Sequence, residues 1–496
     1  MANSKFSSFV FTVIDLAGIN HETKRKRIEC TKQMEEALKN TSKRNMDQSF
    51  ETILTGSKSE GVLPMWCGSD LDRMQVFNNT ICVDEANLGT KCNFDILVAE
   101  YENTPPGYIR VRHKYRSNDI TKESMLLQKS YWYGSTGGAP FISSKLITEN
   151  YLNFAELYQP PDAAGITIKN SSVRNNGPSV TNQTTVHAYS CEYTQEFDNV
   201  LAIYFYNSSI LNDWSTRARY NDWPSEELIH EVSTTEGYII PVGEKKSATE
   251  HLEWRISHVT AEKKLLMAFN STQDKLYIIL KLFSKLVFSS VSKSFSSYMV
   301  KNVVLWMAEI YPSHYFTPDL FIAQLLQSFN FIKQCLINNH LPSYMLPKKN
   351  LIAGRLFGHE KRDLIILLSS LIDEGAFVIY RIPKLAACIT YASMQPNLFA
   401  QYGIWRHCVE IQYLSLHRNF LLNIEKDEDF SISVYSNPFA ASAARLVNNP
   451  QVFIDYLMLF NLIIPDCLEL HPNVNIDQAF HLFHKRLYCA HKCCFL

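Results

Sequence analysis

The feature that most constrains this chain is a glycine-serine pair followed by two closely spaced aspartates. Gly56 and Ser57 are adjacent, and thirteen residues after Ser57 the chain has the string Asp70-Leu71-Asp72. Side chains alternate between the two faces of a strand, so both carboxylates would project from one face. Paired carboxylates suit Mg²⁺, and a Gly-Ser turn offers N–H groups and a hydroxyl to phosphates. The pattern predicts a nucleotidyl-transfer site in which divalent ions bridge phosphate oxygens.

Each half of this pattern is common by itself. A Gly-Ser pair is usually an ordinary turn, and an Asp-x-Asp string is usually a solvated strand end. Spacing alone therefore leaves both interpretations open, and the rest of the chain has to decide between them.

Further segments follow in an order that resembles one family. The most recognisable string is Leu252-Glu253-Trp254-Arg255-Ile256-Ser257. On this string and its companions the chain resembles the Mab-21-like nucleotidyltransferases, and within them the invertebrate enzymes similar to cyclic GMP-AMP synthase. The resemblance covers roughly residues 20–385, and its companion segments are 177–179, 221–225, 240–245, 261–265, 276–281, 296–298 and 341–351.

The resemblance implies roles for individual residues. The catalytic carboxylates that hold the metals would be Asp70, Asp72 and Asp198. Two Mg²⁺ or Mn²⁺ ions are the expected cofactors, and ATP, GTP or other nucleoside triphosphates are the expected substrates. Lys281 would contact phosphate and Tyr298 would stack on a base. The full set of implied nucleotide contacts is Gly56, Ser57, Arg255, Ser257, Glu262, Lys281, Ser296 and Tyr298.

The third carboxylate is the least certain of these assignments. Asn199 follows Asp198, where relatives usually carry an apolar residue. Three nearby acids compete for the same role, and they are Glu192, Glu196 and Asp213.

One element of the related vertebrate enzymes is missing. They carry a His-Cys-Cys-Cys zinc insertion after the Trp-Arg-Leu-Ser segment, whereas residues 254–281 here contain no cysteine. The sequence therefore predicts no zinc thumb at this position and no structural zinc.

A basic run near the N-terminus is the candidate nucleic-acid contact. It lies in the polar stretch 16–50, where the resemblance implies a long helix that braces the catalytic lobe. Short basic runs are often solvated helix faces, and that interpretation stays open. The family favours double-stranded nucleic acid as a partner, RNA more than DNA, and the residues concerned are Lys24, Arg25, Lys26 and Arg27.

Composition indicates a cytoplasmic enzyme with a large core. The chain has 496 residues, 46% of them hydrophobic, and a net charge of -1 from 48 Lys+Arg and 49 Asp+Glu. This balance gives no global basic signal, so any nucleic-acid surface must be local. Twelve cysteines without framework spacing indicate reduced thiols. The apolar run 364–372 is far shorter than the ~20 residues that span a bilayer, which predicts no transmembrane helix.

The predicted fold is α+β. It is expected to be a two-lobed nucleotidyltransferase fold with an N-terminal bracing helix, a mixed-sheet catalytic lobe and a C-terminal α-helical lobe. The predicted limits are 1–50 for the bracing region, 51–255 for the catalytic domain, 256–385 for the helical domain and 386–496 for a helical extension of unknown role.

The C-terminal tail allows three interpretations. Its last four residues, Cys493-Cys494-Phe495-Leu496, have the form of a lipidation signal, although two positions fit it poorly. A zinc site lacks the paired spacing of known modules. A frayed helical tail is the favoured interpretation, and the residues that suggested zinc are His484, Cys489, His491, Cys493 and Cys494.

Together these observations predict an enzyme that senses double-stranded nucleic acid, in innate immunity, and makes a cyclic dinucleotide or short oligonucleotide. A catalytically inactive Mab-21-like scaffold is the main alternative, and a transferase acting on RNA ends is a third. The intact acid triad favours an enzyme.

Overall fold

The computed structural model describes most of the chain up to residue 414. The described residues are 2–44, 50–62, 70–84, 94–116, 121–133, 140–157, 166–188, 191–207, 209–404, 406–407, 410–411 and 414. The sequence interpretations of the C-terminal tail fall outside the described residues.

In the residues that the structure describes, eleven strands form one mixed sheet. They are β1 Phe50–Leu54, β2 Leu71–Val83, β3 Asp95–Glu100, β4 Tyr108–Tyr115, β5 Tyr131–Trp132, β6 Phe141–Ile142, β7 Ile166–Asn176, β8 Ser179–Ala188, β9 Cys191–Tyr206, β10 Gly237–Ile240 and β11 Glu253–Ser257.

The sheet runs in the order β1-β2-β3-β4-β11-β10-β9-β8-β7. Strand β2 is parallel to β3 and also pairs in parallel with β9, while the remaining neighbours are antiparallel. The β2–β9 pairing joins the second and the seventh strand of this order, so that the strands from β2 to β9 form a closed ring. It also places the start of β2 beside the middle of β9, where the predicted acids lie.

Thirteen α-helices accompany the sheet in the described part of the chain. They are α1 Ala2–Leu16, α2 His21–Arg44, α3 Gly56–Ser59, α4 Lys122–Lys129, α5 Ser144–Leu157, α6 Asn212–Ser215, α7 Glu226–Ser233, α8 Val259–Met267, α9 Ser271–Leu286, α10 Ser297–Ile310, α11 Phe321–Ile337, α12 Gly358–Asp373 and α13 Pro383–Met394. Mixed strands and helices confirm the predicted α+β class.

Local sequence explains why α9 begins where it does. The Asn270 side chain accepts hydrogen bonds from the N–H groups of Thr272 and Gln273, and Gln273 returns a bond to the Asn270 N–H. This reciprocal cap satisfies N–H groups that a helix start leaves free. The following residues, from Leu276 to Leu280, are all buried in the largest core.

The first helix is part of that core. Three apolar residues of α1 are at most 1% exposed, and they are Val10, Val13 and Ile14. The Ser7 hydroxyl donates to the Pro318 carbonyl at 2.8 Å and accepts from the Ile322 N–H at 3.1 Å. Helix α1 therefore supplies a cap to α11, which has no side-chain cap of its own.

The stretch 16–50, where the resemblance implies a long helix, contains α2, and a separate helix, α1, precedes it. Residues 17–20 separate α1 from α2, and Gly18 there has a φ of +99°, which favours glycine. A Cβ at Gly18 would lie 1.9 Å from the Arg406 guanidinium. The absence of a side chain at Gly18 therefore leaves room for Arg406 at the junction between the two helices.

Three predicted domain limits fall inside elements of the structure. The limit at 255 cuts β11, the limit at 385 cuts α13, and the limit at 50 cuts β1. Helix α13 buries Leu385, Cys388 and Ile389 in the same core as α9. Hydrogen bonding and shared burial thus extend the helical region beyond residue 385.

One helical stretch in the described part of the chain, 318–337, is long and apolar enough to cross a membrane. Half of its most apolar window is buried inside the protein. Its core-facing residues recur every three or four positions, as in a helix packed on one side: Phe321, Leu325, Phe329, Ile332 and Leu336. That pattern is typical of a core helix.

A buried carboxylate stabilises an irregularity in β2. The register between β2 and β9 shifts between Val76 and Ile81. Glu123, at the start of α4, accepts hydrogen bonds there from the N–H groups of Asn78 and Asn79 at 3.0 and 2.9 Å. Glu123 is fully buried, so water cannot replace it.

We therefore expect Glu123→Ala to lower the free energy of unfolding by about 2 kcal/mol or more, because two backbone donors lose their acceptor. Glu149→Ala, a change on the exposed side of α5, is the matched control and should cost less than about 0.5 kcal/mol. Urea unfolding measures both, and equal midpoints would contradict the role assigned to Glu123.

Candidate functional site

The three predicted acids lie on two paired strands. Asp72 is directly opposite Asp198 in the parallel β2–β9 register. Asp70 immediately precedes β2, two residues before Asp72, and is exposed. On the other side of β9, Thr181 is opposite Asp198 and its hydroxyl donates to the Asp198 carboxylate. The structure therefore brings Asp72 and Asp198 to the same level of the sheet.

The competing acids are placed elsewhere or lie outside what is described. Glu196 pairs with Arg174 at 2.9 Å, and Asp213 pairs with Lys348 at 2.7 Å. The side chain of Glu192 is not among those described. Asn199, the unusual neighbour, is 4% exposed and its amide donates to the Val180 carbonyl at 3.2 Å. Its polarity is satisfied by the backbone of β8.

The Gly-Ser turn packs directly against this acid pair. Gly56 begins α3 with a φ of +70°, and a Cβ there would lie 1.8 Å from Asp72 Oδ2. Only glycine permits both the backbone conformation and this approach. Ser57 follows, and its hydroxyl accepts a hydrogen bond from Lys281 Nζ at 2.6 Å. Gly56 thus packs against Asp72, and Ser57 is hydrogen-bonded to Lys281, although these residues lie in separate segments of the sequence.

The pKa of Asp72 is strongly shifted. Burial and the carboxylates of Asp70 and Asp198 raise the pKa of Asp72 from 3.8 to about 7. The charge of Glu60 acts in the same direction and that of Lys281 opposes it. Like charges held close together disfavour ionisation. The site therefore has an excess of negative charge.

This donor set fits a divalent ion chemically. Carboxylate oxygens are the ligands that Mg²⁺ prefers, and a cation would relieve the repulsion that acts on Asp72. No group of three His, Cys, Asp or Glu side chains in the described part of the chain is close enough to form a ready metal site. The acids share one end of the sheet without converging fully.

A chain of buried charges that the sequence analysis missed links the turn to the helices. Lys301 Nζ, on α10, lies 2.6 Å from Glu60 and 3.3 Å from Glu262. The hydroxyl of Tyr277 donates to Glu60 at 2.8 Å. Burial opposes ionisation of Glu60, but the charges of Lys301 and Lys281 outweigh it and lower the pKa of Glu60. In the sequence, the only indication of this chain of charges is that an acid, Glu60, follows Ser57 by three residues.

Tyr298 joins the same chain of charges. Its hydroxyl donates to Glu262 at 2.8 Å while its side chain remains 40% exposed. An exposed ring with a fixed hydroxyl can offer a face for stacking. Ser296 is the residue before α10 and its side chain makes no capping hydrogen bond.

Strand β11 divides its residues between the core and the site. Trp254 and Ile256 are buried in the sheet core, and the Trp254 ring N–H donates to the Ile142 carbonyl at 2.9 Å. Arg255 and Ser257 alternate with them and are half-buried. The most recognisable string of the sequence therefore contributes two residues to packing and two to the opposite face.

The predicted nucleic-acid contact is wrong for two of its four residues. Lys24 is 5% exposed, and its ammonium contacts Asp274 and donates to the Leu266 carbonyl. Arg27 is 2% exposed and forms two hydrogen bonds to Glu410. Both cations hold α2 against other parts of the protein.

The exposed side chains that the structure describes on α2, up to residue 39, do not form a basic stripe either. Arg25 is exposed and Lys26 is half-buried. Acids and bases alternate along the outer face at helical spacing, which is the arrangement of a solvated helix face. Its exposed residues are Glu22, Arg25, Glu29, Lys32, Glu36 and Lys39.

Comparison with protein families identifies one matching model. Residues 272–365 match the Mab-21 protein HhH/H2TH-like domain. This match supports membership of the Mab-21 family. The Mab-21 match contains α9, α10 and α11, and with them Lys281, Ser296, Tyr298 and Lys301. The family is nucleotidyltransferase-like, which supports a transferase at a coarse level.

The raised pKa of Asp72 has a consequence for stability. Its value is about 7 in the folded protein against 3.8 ordinarily, so folding favours the protonated form. The stabilisation is complete below about pH 4 and is lost as the pH rises through about 7. We expect Asp72→Asn to raise the free energy of unfolding at pH 8, in EDTA, by on the order of a few kcal/mol relative to its effect at pH 4.

Urea unfolding at the two pH values measures this difference. The exposed Asp213, paired with Lys348, provides the control Asp213→Asn, which should show no comparable pH dependence. An Asp72→Asn effect that is the same at pH 4 and pH 8 would contradict the electrostatic account.

Proposed function

We propose that this chain is a metal-dependent nucleotidyltransferase that joins nucleoside triphosphates into a cyclic dinucleotide or a short oligonucleotide. The observation that carries the proposal is the placement of Asp72 opposite Asp198 with Gly56 packed against the Asp72 carboxylate. The Mab-21 match adds a transferase-like family. The product class comes from the resemblance to cyclic GMP-AMP synthase-like enzymes.

In this proposal each part of the site has one task. Asp70, Asp72 and Asp198 would hold two Mg²⁺ or Mn²⁺ ions. When bound, such ions neutralise phosphate charge and activate a hydroxyl for attack. Ser57 and Lys281, already hydrogen-bonded to each other, would bind the donor triphosphate.

The nucleotide itself would lie between the sheet and the helices, in the cleft of a two-lobed fold. Tyr298 offers a partly exposed ring to a base, and Glu262 fixes its hydroxyl. Arg255 and Ser257, which are half-buried on β11, would contact the nucleotide from the sheet side. A guanidinium provides directional donors to a base edge or a phosphate.

A catalytically inactive scaffold is the main alternative. Its fold would be stabilised if the acids were replaced by neutral residues, because the mutual repulsion of Asp70, Asp72 and Asp198 disfavours ionisation of Asp72. Without a ligand, keeping these three carboxylates close together lowers the stability of the fold. A cluster of acids with a strongly shifted pKa is more typical of an active site than of a scaffold.

Activation by double-stranded nucleic acid, a role in innate immunity and a cytoplasmic location are proposed from the resemblance and composition. Over residues 21–39, the part of α2 with described side chains, the outer face offers no net positive charge to phosphates, since its acids and bases alternate. A duplex would have to use a different local surface.

The first test is product formation from labelled ATP, GTP, CTP and UTP with Mg²⁺ or Mn²⁺. We expect the parent protein to form a product and Asp70→Asn with Asp72→Asn to lose at least about 100-fold in rate, because the metal charge is no longer compensated. Thermal unfolding checks that the variant folds. Retained turnover by this double variant would contradict the metal site.

The second test adds long double-stranded RNA or DNA to the same reaction. If duplex RNA activates the protein, product formation should rise, and Arg25→Glu with Lys26→Glu should leave this rise largely intact because α2 presents alternating charges. Lys24→Met should instead lower stability, since it leaves Asp274 without its buried partner. If a well-folded Arg25→Glu, Lys26→Glu protein is no longer activated by RNA, then α2 does contact the RNA and the expectation is wrong.

A further inference from the structure

A second group of cations lies away from the acids. Arg255 on β11 is opposite Tyr108 on β4, and Lys349 lies over the Tyr108 ring with its Nζ 4.2 Å from the centroid. Lys349 is 8% exposed, a low value for a lysine. Arg355 lies in the same group, because its charge and that of Arg255 both act on Lys349.

The backbone is shaped to admit the Lys349 side chain. Gly107 has a φ of +82°, and a Cβ there would lie 2.6 Å from Lys349 Cδ. Any other residue would therefore fill the space through which the lysine reaches Tyr108. A buried path for a cation is a feature of the tertiary structure that composition does not reveal.

The cations in this group are poorly compensated. Among the residues that the structure describes, no oxygen accepts a hydrogen bond from the ammonium of Lys349 or from the guanidinium groups of Arg255 and Arg355. Glu244 is the acid whose charge acts most strongly on Lys349. Glu262 also acts on Lys349, but it is paired with Lys301. Burying charge without partners is unfavourable.

Buried polar atoms without hydrogen-bond partners next to this group also indicate a binding site for a ligand. His258 directly follows Ser257 and is 2% exposed, and neither of its ring nitrogens has a hydrogen-bond partner among the described residues. Burial, and then the charge of Lys349, lower the pKa of His258 to about 4, so the ring is neutral at physiological pH. Buried polar groups normally have partners.

We propose that Arg255, Lys349 and Arg355 form a second anion site, which binds a phosphate group of a nucleotide. This site is separate from the one formed by Ser57 and Lys281. In hydrogen-bonded order β11, which carries Arg255, is three strands from β2, through β10 and β9, a path of about 14 Å along the sheet. The turn that contains Ser57 packs against Asp72 on β2, so a single phosphate group would not reach both sites.

The occupant is therefore a second nucleotide or the far phosphate of a joined product. Tyr298 and Glu262 lie between the two sites in the network of charges, since Arg255 acts on Tyr298 and Lys301 connects Glu262 to Glu60. The identity of the anion as a nucleotide phosphate rests on the proposed function. The existence of an anion site does not.

The test measures binding without metal, so that the acids are not involved. Fluorescent mant-GTP and inorganic tripolyphosphate are titrated in EDTA against the parent protein, Lys349→Met and Arg355→Met. We expect Lys349→Met to raise the Kd for mant-GTP about ten-fold or more, because a charge-assisted contact is lost. Lys348→Met is the matched control. Its neighbouring lysine side chain is 82% exposed and pairs with Asp213, so the Kd should change by less than about two-fold.

Stability separates this role from a structural one. Lys349→Met removes a buried, poorly compensated charge and should melt at the same temperature as the parent or higher. Tripolyphosphate should raise the melting temperature of the parent by more than that of Lys349→Met, in which only the site at Ser57 and Lys281 is left. If Lys349→Met fails to fold, the half-buried Arg355 provides the second variant.

An unchanged Kd in the folded variants would overturn the anion site. A different outcome is that binding depends on Lys349 but the protein forms no product from any nucleoside triphosphate. That outcome would contradict the proposed transferase activity and support the anion site. Binding of tripolyphosphate that exceeds that of mant-GTP would assign the site to free polyphosphate and overturn the nucleotide assignment.

Discussion

The ammonium of Lys301 between two buried carboxylates is the interaction on which the site depends. It lies 2.6 Å from Glu60 and 3.3 Å from Glu262. Glu60 ends the turn that begins at Gly56, and Glu262 accepts the Tyr298 hydroxyl. Removing one member of a buried ion pair leaves a charge without compensation, at a cost of about 3–5 kcal/mol. The turn, Tyr298 and α10 are therefore held in one arrangement.

Two kinds of charge can be distinguished in this structure. Several buried ions elsewhere in the described part of the chain are held in ion pairs. Glu309 accepts from Arg217, Arg219 and Tyr344, and Arg27 pairs with Glu410. These groups join segments that are distant in sequence, and their energetic role is complete without a ligand.

The functional site is different because its charges are left in excess. Burial and the neighbouring acids raise the pKa of Asp72 to about 7, whereas burial and the neighbouring cations hold the pKa of Lys349 well below its usual range. Each group disfavours its own ionisation, and a ligand of opposite sign would relieve it. A phosphate-bearing ligand together with divalent cations would satisfy both requirements at once, as the proposed function requires.

The sequence by itself determined the parts that local geometry controls. The alternation of strand side chains placed Trp254 in the core and Arg255 on the opposite face, and the glycine at position 56 reflected a close approach that no side chain permits. Only the tertiary structure decided which charges are used for folding. Lys24 and Arg27 look equivalent to Arg25 in sequence, but helix rotation turns them inward onto Asp274 and Glu410. The role of Lys349 was equally hidden, because the burial of a charge depends on segments far apart in the chain.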